Sequence, residues 1–272
     1  MDNLIKGLFA GAVTLGGLYV LSTQGRTGHP GLDNLKGWKY AHRGLHDKNL
    51  PENSMGAFRS ALEHGYGIEL DIHLMKDGQL AVIHDCSLKR TAGADVKITD
   101  LTAADLENYR LGDTDEKIPL FCEVLELFAG KAPLIIELKS DSNAAELVAA
   151  TVKAMEGYEG AYCMESFDPR CVHELKKQAP QIIRGQLTMD YFKEEKSPLP
   201  KVLKWVLTQH AENFFTLPDF VACRYSDRNT LGSRMARKFW GVQGVAWTLR
   251  SQEEFDTAVS EGWLPIFENF IP

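Results

Sequence analysis

No Cys-x-x-Cys pair occurs in the 272 residues, and the five cysteines (Cys86, Cys122, Cys163, Cys171, Cys223) are scattered and odd in number. That excludes a disulfide framework and points to reduced thiols, hence a catalytic domain on the cytoplasmic side. Positive charge is also short: 30 Lys and Arg against 37 Asp and Glu leave a net charge of −7. A general nucleic-acid partner needs a basic surface and is excluded, whereas a small anionic substrate needs only a few local cations. Disorder is excluded too, because 44% of the residues are hydrophobic and 25% charged, the balance of a folded globular chain.

The front of the chain differs from the rest. From Leu4 to Leu21 the only charge is Lys6, and "LFAGAVTLGGLYVL" is apolar. The run is near the lower limit for a membrane span, about 17 residues. A signal peptide would want a small-x-small cleavage site, and a buried amphipathic helix a polar stripe; both are missing. The expectation is an uncleaved membrane anchor over residues 1–24, a polar tether over 25–36, and a catalytic domain over 37–272. Arg26, Lys36 and Lys39 outnumber the charge before the run, which places that domain on the cytoplasmic side of a cell membrane crossed once.

After the tether, short apolar runs alternate with helical patterns. Strands are expected at Trp38–His42, Ile68–Ile72, Leu80–His84, Leu134–Leu138, Ala161–Glu165, Ile182–Leu187, Phe220–Arg224, Val245–Leu249 and Leu264–Phe267. Helices are expected at about Ser54–His64, Leu120–Phe128, Ala144–Met155, Pro169–Gln178, Lys201–Asn213, Asp227–Phe239 and Glu253–Glu261. Eight such units with one extra strand predict a closed (β/α)8 TIM barrel with an insertion at about residues 74–119, which carries helix and turn signals rather than a core of its own. An open doubly wound sheet is the rival, but no Gly-rich phosphate loop follows the first strand.

Residues two apart on a strand share a face. In "IELDI", Glu69 and Asp71 therefore share one face while Ile68, Leu70 and Ile72 share the other. Two carboxylates in a dry core would repel each other, and a cation resolves the conflict. The reversal expected at Asp77-Gly78 returns His84 towards Asp71. In "LIIELKS", Glu137 and Lys139 add a third carboxylate and a cation. Three carboxylates without a cysteine make an oxygen-preferring site, for one Mg²⁺ or Ca²⁺. "AHRG" ends the first strand, so His42 and Arg43 reach the barrel end where active sites assemble. Arg43 and Lys139 beside a metal suit a phosphate, and two histidines on different strands offer a general acid and a general base.

Taken together, "AHRG…PENS…GIELDIHLMKDGQLAVIHD…IELK" resembles the glycerophosphodiester phosphodiesterases, in order and in spacing, and the anchor resembles a membrane-attached bacterial branch. The resemblance implies a barrel with a small insertion after the second strand and hydrolysis of glycerophosphodiesters to glycerol 3-phosphate and an alcohol. It implies His42 and His84 as the acid–base pair, Glu69, Asp71 and Glu137 as metal ligands, and Arg43 and Lys139 as phosphate contacts. The nucleophile, water or the substrate's own glycerol hydroxyl, stays open, as does which histidine is acid and which base. Two alternatives stand beside this: lysophospholipase D-type hydrolysis of lysolipids at the membrane, and a catalytically silent, membrane-tethered binding barrel.

Other residues invite weaker expectations. Glu52 in "PENS" follows the first strand's active end and is a candidate site residue, with Asn53 or Ser54 as a helix cap. Phe167 in "SFDP" and Trp247 in "AWTL" are candidates for the wall of the substrate pocket, with core packing the other role for Trp247. "PIFENF" departs from the family's Thr-Asp pair and leaves Glu268 without an assigned role. His73, two residues beyond Asp71, is expected at the surface, with a substrate contact as its other role, and His29, His46, His64, His173 and His210 are expected at the surface.

Overall fold

Strand pairing closes the sheet into a ring. In the computed structural model, which describes residues 15–195 and 197–272, the strands are β1 (Tyr40–His42), β2 (Gly67–Leu74), β3 (Leu80–Val82), β4 (Leu134–Leu138), β5 (Tyr162–Ser166), β6 (Arg184–Thr188), β7 (Phe220–Arg224), β8 (Gln243–Leu249) and β9 (Trp263–Phe267). Eight of them run parallel in the order β1-β9-β8-β7-β6-β5-β4-β2, and β1 pairs with β2 to complete the barrel. The antiparallel β3 pairs with the upper half of β2, at Ile72–Leu74, on the edge that β1 leaves free above Glu69. This is a (β/α)8 fold with a hairpin inserted after its second strand.

The outer layer includes α1 (Met55–Glu63), α2 (Phe121–Phe128), α3 (Ala144–Ala154), α4 (Pro169–Gln178), α5 (Lys201–Thr208) and α6 (Gln252–Ser260). Their starts follow local chemistry. Ser54 and Ser251 accept backbone N–H bonds from Ala57 and Glu254, and Asp168 caps α4 ahead of Pro169. Two expected helices are shorter. The run from Lys201 stops at Thr208, because His210 is left-handed (φ 56°), and a separate turn forms at Asn213–Thr216. Between β7 and β8 a 3-10 turn at Tyr225–Asp227 is followed by a short helix, Leu231–Arg234, that widens into a π turn over Met235–Phe239.

Alternation along the strands sorts the side chains into two layers. Leu134, Ile136 and Leu138 of β4 pack outward under the helices, while Ile135 joins Tyr40, Cys163, Phe220, Val245 and Ile266 inside the barrel. That apolar interior fills the barrel below the polar ends of the strands. The insertion does have a core, contrary to expectation: Met75, Ala81, Ile83, Leu88, Ile98, Leu101, Leu106, Leu111 and Ile118 form one buried cluster. Apart from Ala81 and Ile83, which alternate with Leu80 and Val82 along β3 and the residue after it, its apolar residues hang on short turns, single bridges and loops and show no sustained helical or strand periodicity.

The start of the chain requires a correction. Among the described residues no helix is long and apolar enough to cross a membrane, which overturns the expected single-pass placement in a cell membrane with a cytoplasmic catalytic domain. Residues 1–14 of the expected anchor lie outside the described residues. The part that is described, a helix over 15–22, lies against the barrel: Tyr19 donates to Gln209 at 3.0 Å, and Trp240 Nε1 donates to the Val20 carbonyl at 2.8 Å. Residues 25–36, expected as a tether, are packed as well. Arg26 makes two 2.6 Å hydrogen bonds to the fully buried carboxylate of Asp219, and Leu32 and Leu35 enter the interior cluster from a 3-10 turn at Pro30–Leu35.

Candidate active site

Register places the acids. Asp71 on β2 stands opposite Glu137 on β4, and Glu137 opposite Glu165 on β5, while His42 on β1 stands opposite Glu69. Ligand oxygens of Glu69, Asp71 and Glu137 all lie within 4.8 Å of one another. Lys139 Nζ sits between two of them, 3.0 Å from Asp71 and 2.7 Å from Glu137. Arg43 reaches Asp71 at 3.3 Å through Nε and Glu52 at 2.9 Å through Nη1.

The backbone at Arg43 is left-handed (φ 55°), as is Gly44 (φ 81°). A side chain at Gly44 would press against Ala57 and Phe58 at about 2.9 Å. Glycine is required there, and the sharp exit it permits leaves the Arg43 N–H donating to Glu69 at 3.2 Å.

The electrostatics follow from burial. Glu69 is pushed well above the ordinary carboxylate range, first by burial and then by Asp71 and Glu137. Burial also raises Glu137, against the pull of Lys139. Asp71 goes the other way, because Lys139 and Arg43 outweigh its burial. The protein's own cations thus satisfy one carboxylate and leave Glu69 and Glu137 strained. A cluster of hard oxygen donors with that deficit fits a divalent cation of the Mg²⁺ or Ca²⁺ kind.

Both histidines lean on a carboxylate. His42 Nδ1 is 2.7 Å from Glu268, and His84 Nδ1 is 2.6 Å from Asp85. A carboxylate only accepts, so each Nδ1 carries the hydrogen and each Nε2 keeps a lone pair for proton exchange, that of His42 lying 3.8 Å from Glu69 Oε2. Burial lowers the pKa of both, with Glu268 and Asp71 respectively opposing it. The inserted segment extends this scaffold. Arg90 donates to Asp85 at 2.5 Å and to Glu52 at 2.6 Å, tying the His84 partner to the Arg43 partner.

His42, His84, Glu69, Glu137, Arg43, Phe167 and Trp247, all anticipated, line one cavity of about 160 Å³; Asp71 and Lys139 adjoin it. Glu52 does not face the cavity and instead braces Arg43. The Phe167 and Trp247 rings meet edge to face at 5.5 Å and form its apolar wall.

Several expectations change. His73 is buried rather than at the surface, donating through Nε2 to the His84 carbonyl at 3.0 Å. His210 is wholly buried, 3.7 Å from Cys223 Sγ, and His46 lies 3.5 Å from Glu268. Ser54 alone caps α1, while Asn53 donates to Asp71 at 2.8 Å. Glu268, Arg250, Asp85, Arg90 and Glu165 escaped the sequence argument. Glu268 left a trace in the departure at "PIFENF"; Arg90 left none.

A parallel barrel with histidine–carboxylate pairs, clustered acids and two cations at one mouth has the make-up of a site able to bind an anion and to exchange protons with it. Comparison with known proteins gives the family. Residues 42–271 match the Glycerophosphoryl diester phosphodiesterase family. The chain is 31% identical over 235 residues to a glycerophosphodiester phosphodiesterase of Caldanaerobacter subterraneus subsp. tengcongensis, covering 82% of this chain and 89% of the relative. A lysophospholipase D of Rattus norvegicus is 38% identical over 116 residues, 38% of this chain and 36% of that one. Among solved structures, an Oleispira antarctica phosphodiesterase in complex with the product sn-glycerol-3-phosphate superposes with a TM-score of 0.72 at 22% identity, covering 89% of this chain and 95% of that one. The chain belongs to the glycerophosphoryl diester phosphodiesterase family and is a phosphodiesterase of that family.

Proposed function

We propose that the protein hydrolyses glycerophosphodiesters to glycerol 3-phosphate and an alcohol, with one divalent cation at Glu69, Asp71 and Glu137 and with His42 and His84 as the acid–base pair. The observation that carries this reading is the convergence of two carboxylate-braced histidines and a three-acid cluster on one cavity. The product named for the Oleispira antarctica enzyme supports the choice of substrate.

Glu69, Asp71 and Glu137 would hold a divalent cation, which would supply Lewis-acid polarisation of the phosphoryl group. Arg43 and Lys139 hold the anionic diester and meet the charge that grows on its non-bridging oxygens. One histidine, neutral at Nε2, takes the proton of the attacking hydroxyl. The other, protonated, delivers its proton to the leaving alkoxide oxygen as the P–O bond breaks. Glu268 and Asp85 keep both rings in the tautomer this exchange needs and stabilise the imidazolium form of each. Phe167 and Trp247 offer an apolar face to the carbon atoms beside the phosphate.

The test is release of glycerol 3-phosphate from glycerophosphocholine by the full chain with Mg²⁺, with Ca²⁺ and with chelator, in parallel with detergent-dispersed lysophosphatidylcholine. Cation-dependent release that falls by at least about a hundredfold in both His42→Ala and His84→Ala is expected. Cleavage of the lysolipid alone would move the assignment to a lysophospholipase D. No cleavage of either by folded protein would overturn it.

A further inference from the structure

Glu165 is a buried acid to which the proposed mechanism gives no task. It stands one register step from Glu137, as Glu137 does from Asp71, so three carboxylates run round the barrel at one level. It is 1% exposed, it lines the same cavity as Glu69, Glu137 and the two histidines, and its Oε2 has no hydrogen-bond partner. A buried carboxyl oxygen without a partner has given up its hydrogen bonds to water, a cost that a bound cation would offset.

The protein's own cations do not provide one. Lys139 is shared by Asp71 and Glu137, Arg43 is taken by Glu52 and Asp71, and no ion pair among the described residues includes Glu165. Arg250, the other cation lining the cavity, is taken by Glu268 at 2.8 Å, so none of these cations is left for Glu165.

We propose that Glu165 is a fourth carboxylate of the cation site: it stands beside Glu137 but outside the set of Glu69, Asp71 and Glu137 whose ligand atoms lie within 4.8 Å of one another, and it turns Oε2 to the ion that those three would hold. The proposal rests on the cation reading above and sharpens it. A cavity offering four carboxylates suits Ca²⁺, which takes six to eight oxygens in flexible geometry, better than Mg²⁺, which keeps much of its water in a tight octahedron.

Titration calorimetry of the full chain with CaCl₂ and with MgCl₂ tests it. Glu165→Gln is expected to weaken Ca²⁺ binding by about tenfold or more, and Mg²⁺ binding by less. Melting separates ligation from mere packing. Without metal, the variant should melt at or above the parent temperature, having lost one repelling acid, and the upward shift produced by Ca²⁺ should shrink. Glu165→Met, which also removes the carboxylate at similar bulk, must behave alike. Ca²⁺ affinity within twofold of the parent in either folded variant would overturn the role of Glu165 and leave the three-acid site standing. Failure of the parent chain to bind either ion would overturn both.

Discussion

Replacing Glu268 by glutamine should harm the enzyme more than removing the side chain altogether. Glu268 Oε1 accepts from His42 Nδ1 at 2.7 Å. Its Oε2 accepts from Arg250 Nη2 at 2.8 Å, from Arg250 Nε at 3.1 Å and from Asn269 at 3.3 Å. A glutamine cannot aim its NH₂ at those three donors, so its carbonyl oxygen must face Arg250 and its NH₂ must face His42. Nδ1 then has to accept, the ring hydrogen moves to Nε2, and the lone pair needed on the cavity side is lost. A hydrogen bond to a charged group is worth about 1.5–3 kcal/mol. At about 1.4 kcal/mol per tenfold, the loss in kcat is roughly 10- to 150-fold. KM should hold, because Glu268 does not line the cavity. Glu268→Ala should fall less, since water can accept from Nδ1–H. Glycerol 3-phosphate release gives the rates, and ¹⁵N spectra of the imidazoles give the tautomer. Glutamine-variant activity within twofold of the parent, or a His42 that keeps its hydrogen on Nδ1, would refute the reasoning.

Two further outcomes follow from the same geometry. Burial raises Glu137 from 4.5 to about 7, so the folded state holds a proton that the unfolded chain releases. Without a divalent ion, stability should therefore fall as pH rises from about 4.5 to about 7, and added Ca²⁺ or Mg²⁺ should flatten that slope; urea midpoints in chelator and in metal check it. On the barrel floor, Asp219→Ala takes from half-buried Arg26 its two hydrogen bonds to a carboxylate, leaving those to the Pro180 and Ile182 carbonyls, and removes an acceptor from the Arg184 N–H. A loss of about 3 kcal/mol in urea unfolding with kcat unchanged is expected, and a drop in kcat without a loss of stability would contradict the structural role given to this pair.

How much of the site was legible depends on how local each signal was. Glu69, Asp71, Glu137 and Lys139 stand out because strand periodicity alone puts charge on the inward face of runs as apolar as "IELDI" and "LIIEL". His84 is legible because a single reversal at Asp77-Gly78 returns it beside Asp71, as the Ile83 N–H bond to the Asp71 carbonyl at 3.0 Å shows. Glu268 is different. It lies 226 residues from His42, and only closure of the ring through β9 and β1 brings them together. Arg90 sits on a short turn in a segment without periodicity, and its partners Asp85 and Glu52 belong to two different loops.

The front of the chain shows the opposite failure. Leu15, Leu18 and Leu21 are exposed, yet Tyr19 and the Val20 carbonyl are engaged by Gln209 and Trp240. Hydropathy registers the first fact and cannot register the second. By itself, then, the sequence determined the barrel, the acids and the two histidines, because alternation and one turn are properties of neighbours along the chain. Which carboxylate holds each histidine, how the insertion braces Arg43, and where residues 15–36 lie were decided by the tertiary structure, because each depends on a contact between segments that only barrel closure makes adjacent.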